Sequence, residues 1–150
     1  MYRISEPWPT HLISLFVMVS LFVGCGPQRH YELEIDSSVP WTMTDIMIPS
    51  GSQLTIEAYG AISPNGSEYV DADGSSDEDW NRNYNMYPRI NHCSLIARIG
   101  AGGEVFAVGV SNKKYISEGG RLLLGINDNN PENNEGTLKV IVQIDTVSAP

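Results

Sequence analysis

An all-β fold, a jelly-roll-type β-sandwich, is what these 150 residues predict, and three observations carry the reading. Apolar residues recur at every second position in several short segments, the period of strands with one buried face. Clusters of Gly, Pro, Asn, Asp and Ser separate those segments, and such residues favour tight turns. Beyond residue 24 no stretch has the 3.6-residue period of an amphipathic helix, and there is no internal repeat or heptad. The length suits one domain that buries its own core without disulfides.

The first segment stands outside that domain. Residues 12–24, LISLFVMVSLFVG, are apolar but too few to span a bilayer as a permanent helix, and they follow a leader containing Arg3, so residues 1–24 read as a signal peptide. Glu6, Pro7 and Pro9 make a poor positive leader, which keeps a buried or interfacial segment as the alternative. The run ends in Leu21-Phe22-Val23-Gly24-Cys25-Gly26, which resembles the lipobox of bacterial lipoproteins, with Phe22 where Leu is usual. The resemblance implies that Cys25 is diacylated and becomes the new N-terminus, tethering a protein of the cell envelope. More than one acyl chain gives stable anchoring. Gly26 after the cysteine points to the outer membrane if there are two. The competing reading of Cys25 is a disulfide with Cys93, the other cysteine.

Residues 25–30 then form a tether and residues 31–150 the domain. Tyr31, Leu33 and Ile35 alternate with acids along the first strand; residues 41–48 are β-rich; Pro49-Ser50-Gly51 turns the chain; and Leu54, Ile56, Ala58 and Ile62 alternate along the next strand. Residues 63–89 lose the pattern and form a long surface excursion, a length typical of functional or disordered loops. Residues 95–99, a glycine-rich turn at 100–103 and residues 104–109 predict a hairpin, and Lys113, Lys114 and Tyr115 fall in a connection. Leu122, Leu124 and Ile126, then Leu138, Val140, Val142 and Ile144, predict a second hairpin around the loop NDNNPENNEG.

That loop is the candidate site. Asp128, Asn129, Asn130, Asn133 and Asn134 offer carboxylate and amide oxygens, and a turn at Pro131 leaves carbonyls exposed. Hard oxygen donors without His or Cys suit Ca2+. The same residues also suit a plain turn. Other constellations are weaker. His92 and Cys93 are adjacent at the start of a strand, where alternation sends neighbouring side chains to opposite faces, so they read as structural. Asp71, Asp73 and Asp77 lack the Gly and Glu of a helix-loop-helix calcium loop, with Ser76 and Arg82 in their places, leaving a weak cation site or a solvated acidic loop. Asn65-Gly66-Ser67 is a sequon in form and a tight turn by preference. Trp80, Tyr84 and Tyr87 could stack on a sugar ring or pin the excursion to the sandwich. No histidine is placed for a catalytic triad, so the chain does not read as an enzyme. Removing residues 1–24 takes one base and one acid, and the net charge of −9 disfavours nucleic acid.

Trp41-Thr42, LTIEAYG at 54–60, LIARIG at 95–100 and GIND at 125–128 with NNEG at 133–136 resemble the PA-IL-like galactophilic lectins, over most of residues 31–150. The resemblance implies a jelly-roll sandwich that binds Ca2+ at one end and lets the ion take two sugar hydroxyls. The ligands it implies are the side chains of Asp128, Asn133 and Asn134 and the carbonyls near Asn130 and Pro64. The expected sugar contacts are Asp128, Asn129, Asn133 and, through ring stacking, Tyr87. The family's sugar-touching His and Gln fall near Tyr87 and Ile90, which do not match, so the metal site transfers better than the galactose site. The expectation is a lipid-anchored, calcium-dependent carbohydrate-binding module. The alternative is a structural or protein-binding sandwich whose calcium only stiffens a loop. The two differ in whether the 63–89 aromatics fold beside the metal.

Overall fold

The computed structural model describes residues 25–147, so the signal segment lies outside the described residues. Strands β1 (Cys25–Asp36), β2 (Trp41–Ile48), β3 (Ser52–Gly60), β4 (Leu95–Ile99), β5 (Phe106–Ala107), β6 (Ser111–Ile116), β7 (Gly120–Ile126) and β8 (Thr137–Val147) form two four-stranded sheets. One has the order β1-β8-β3-β6 and the other β2-β7-β4-β5, with every pairing antiparallel. The expected all-β sandwich is therefore the fold.

The core lies between the sheets. From β8 come Leu138, Val140, Val142 and Ile144, from β3 Leu54, Ile56 and Ala58, and opposite them Ile46, Ile48, Leu95, Ala97, Leu122, Leu124 and Ile126. Each of the first two strands buries alternate residues, as its sequence alternation requires. β7 differs, with five consecutive buried positions from Leu122 to Ile126. Its outward side is covered too: the Trp41 ring lies against Gly125, where a Cβ would come within 2.9 Å of it, and the Arg98 guanidinium sits 4.4 Å from the Trp41 ring centre.

Five expectations change. The segments flanking the 127–136 loop are not a hairpin: β7 pairs with β2 and β4, β8 with β1 and β3, so the loop crosses from one sheet to the other. Alternation reports which face is buried and is blind to the partner, so the two arrangements look alike in sequence. Lys113, Lys114 and Tyr115 belong to β6, an edge strand along β3 that buries only Ile116. Its lysines are what an edge carries to discourage pairing with another chain, and they hide the apolar alternation. Residues 25–30, read as a tether, continue β1 to its start, where Cys25 pairs with Val147. The 63–89 excursion contains a helix, α1 (Glu78–Asn83), started by Asp77, whose carboxylate accepts from the Asp79 amide. The 104–109 segment also shortens, since only Phe106 and Ala107 pair with β4.

Candidate functional site

The ends of β1, β3 and β7 and the start of β8 meet at one end of the sandwich, and two short backbone ladders hold the loops there. Ser63 and Glu135 exchange amide-to-carbonyl hydrogen bonds of 2.8 Å each, which brings Pro64 beside the 131–134 turn. Gly136 permits this approach, because at its φ of +100° a Cβ would stand 2.8 Å from the Ala61 carbonyl oxygen. Ser75 and His92 form the second ladder. It requires Gly74, whose Cβ would overlap the His92 carbonyl.

Asn127 ties the excursion to the loop. It is fully buried. Its Nδ2 lies 3.1, 2.8 and 3.1 Å from the carbonyl oxygens of Tyr87, Ile90 and Asn91, while its Oδ1 accepts from the Tyr87 amide at 2.9 Å. A single Asn in a loop full of them gave no signal of this role.

These constraints create a cavity of about 250 Å³ lined by Pro64, Asn65, Trp80, Tyr84, His92, Asp128, Asn130 and Asn133. Four of the five expected metal-site residues thus reach one space. Asp128 is buried, with Oδ1 accepting from the Asn130 amide at 2.8 Å and Oδ2 facing His92 and Cys93. Asn133 Nδ2 donates to the Pro64 carbonyl at 2.7 Å. Turning that amide over would place two oxygens side by side, as a shared cation requires, and the two amide orientations have nearly the same shape. Asn134 lies outside the cavity lining, its Nδ2 donating to the Ser37 carbonyl at 3.1 Å. Its buried Oδ1 has no hydrogen-bond partner among the described residues, an orphan acceptor that a cation would satisfy. The donor set therefore fits Ca2+. One carboxylate among five ligands argues for weak binding.

The aromatics divide. Trp80 stacks on His92, ring centres 5.1 Å apart and 19° between planes, and Tyr84 stands 5.1 Å from Trp80. Both line the cavity beside Asp128. Tyr87 is held by Asn127 through its backbone and does not line it. Asn129 is exposed, its amide donating to the Asn83 carbonyl at 3.2 Å and its backbone N–H to the Tyr84 carbonyl at 2.8 Å, so it links the loop to α1. The acids of the excursion serve the backbone: Asp71 accepts from the Asp73 amide and Asp73 from the Val110 amide. Asn65 likewise closes its own turn, accepting from the Ser67 and Glu68 amides.

His92 and Cys93 overturn their expected separation. Cys93 adopts a left-handed backbone, φ 59°, just before β4, so strand alternation does not apply. His92 Nε2 lies 3.8 Å and Cys93 Sγ 3.9 Å from the same Asp128 Oδ2. Burial pushes His92 below its ordinary value, against the pull of Asp128, so the imidazole is neutral at neutral pH. Burial, reinforced by Asp128, pushes the Cys93 thiol up to about 12. Cys93 is a free, buried thiol, and the side chain of Cys25, its partner in the alternative disulfide, lies outside the described residues.

No family model and no curated protein matches this sequence. Among solved structures, the EclA N-terminal domain, a PllA-like lectin, is similar in fold. It superposes with a TM-score of 0.60 at 22% identity, over 76% of this chain and 95% of that one. The chain thus shares the sandwich architecture of a lectin domain.

Proposed function

We propose that this protein is a calcium-dependent carbohydrate-binding module, anchored to the cell envelope through lipid on Cys25, and a binding protein rather than an enzyme. The observation that carries the reading is the shared cavity: Trp80 and Tyr84 fold beside Asp128, Asn133 and the Pro64 carbonyl. Ca2+ held by Asp128, Asn133, Asn134 and the carbonyls of Pro64 and Asn130 supplies positive charge and open positions for neighbouring hydroxyls. The indole and phenol offer flat apolar faces to a sugar ring. The fold shared with a lectin domain supports the same reading. From Cys25, the proposed anchor, β1 runs to Asp36, beside the site. At about 3.3 Å per residue the strand sets the site roughly 35 Å from the anchored end.

Stacking selects a ring face more than a particular hydroxyl, so discrimination between epimers is modest. The test is a glycan array probed in Ca2+ and in chelator, repeated with Asp128→Ala and Trp80→Ala. Calcium-dependent hits that both variants abolish are the expected result. A blank array beside a clear calcium-induced stabilisation would replace this reading with a loop-stiffening ion in a structural or protein-binding surface domain.

A further inference from the structure

We propose that His92, Cys93 and Asp128 form a second metal site, which takes a zinc-like transition-metal ion in place of Ca2+. The three ligand atoms lie within 4.8 Å of one another, and all three residues are buried. Zn–N and Zn–S bonds of about 2.0 and 2.3 Å at tetrahedral angles imply ligand-to-ligand separations of roughly 3.3–3.6 Å. The 3.8 and 3.9 Å contacts to Asp128 Oδ2 are a few tenths wider and the third separation, His92 to Cys93, is within 4.8 Å, so a bound ion would draw the three side chains together.

The surroundings are those of a ligating histidine. His92 Nδ1 lies 2.8 Å from Asn85 Oδ1, and Asn85 Nδ2 in turn donates to the Ile90 carbonyl at 2.8 Å. That second bond orients the Asn85 amide so that its oxygen faces the ring, which makes Nδ1 the donor and turns the basic Nε2 towards Asp128. The stack with Trp80 holds the ring plane. His92 and Asp128 both line the cavity, which gives an ion its way in and a solvent molecule the fourth position.

Imidazole and thiolate are soft donors that Ca2+ does not use, so the two ions differ in every ligand except Asp128. The Asn130 amide holds Oδ1, so both ions call on the same oxygen, Oδ2, and compete for it. On coordination the Cys93 proton passes to solvent and sulfur binds as thiolate. Only the competition rests on the calcium reading; the transition-metal site stands without it.

The probe is Co2+, titrated into the full-length protein in detergent after metal removal, and then displaced with Zn2+. The expected result is a thiolate-to-cobalt charge-transfer band with tetrahedral ligand-field bands, bleached by Zn2+ and absent in Cys93→Ser, which changes one buried atom. Asn85→Ala, a positioning variant, should retain the band and weaken Co2+ binding roughly 10- to 100-fold. Excess Ca2+ should move the titration midpoint upward. No band in a wild type whose circular dichroism shows it folded, or the same band in Cys93→Ser, overturns the site. A band that Ca2+ leaves untouched overturns the sharing of Asp128. Failure of the calcium reading has its own signature: no calcium-induced stabilisation of the metal-free protein, with the cobalt band intact.

Discussion

Replacing Asn127 by Ala should unfasten the excursion that brings the aromatics to the site. The side chain is fully buried and has four backbone partners: the carbonyls of Tyr87, Ile90 and Asn91 and the amide of Tyr87. Two N–H groups share three carbonyls, so about three full hydrogen bonds are lost. At about 0.5–1.5 kcal/mol net for each, and with carbonyls left inside the protein, the cost is roughly 2–4 kcal/mol. For a domain of this size about 4 °C accompanies each kcal/mol, which puts the fall in melting temperature at roughly 8–16 °C. Thermal melts by circular dichroism measure it, with Asn129→Ala as the control. Asn129 is exposed and its side chain makes one bond, to Asn83, so its loss should cost about 0.5 kcal/mol or less. Asn127→Asp should be at least as damaging as Asn127→Ala, because it sets a carboxylate against three carbonyl oxygens. An Asn127→Ala melt within about 2 °C of wild type would refute the argument that this residue fastens residues 87–91 to the loop.

Calcium at about a hundredfold over its dissociation constant should stabilise the wild type by about 2.7 kcal/mol, visible in the same melts. Asp128→Ala should lose most of that gain, and Mg2+ should substitute poorly because it demands a tighter octahedron; equal melts in calcium and chelator would remove the ion from the account. Cys25→Ala should release the protein from the membrane or leave it unprocessed, as detergent partitioning would report; undiminished membrane association would count against the anchor. Cys93 is buried, with its thiol pushed up to about 12, so alkylating reagents should leave it unmodified at neutral pH until denaturant is added. Rapid labelling of the native protein would show that the His92–Cys93 turn opens readily.

The sequence by itself determined the class of fold and the buried faces. The alternation of Leu138, Val140, Val142 and Ile144 and of Leu54, Ile56 and Ala58 is a local, two-residue signal, and those side chains are the core. Asp128 and its asparagines were legible as an oxygen-rich loop, because donor chemistry is a property of residue type. Partners were not legible. Both a hairpin and a crossing between sheets bury the same faces of β7 and β8, and only packing of the two sheets chooses between them. β6 was hidden because an edge strand buries too little to impose a pattern. The site's remaining parts depend on contacts between distant stretches of chain. Trp80 reaches Asp128 because Asn127 and the Ser75–His92 ladder fold the excursion back. His92 and Cys93 converge on one carboxylate because Cys93 takes a left-handed backbone conformation. A cysteine does not adopt that conformation by preference, so tertiary structure alone imposes it.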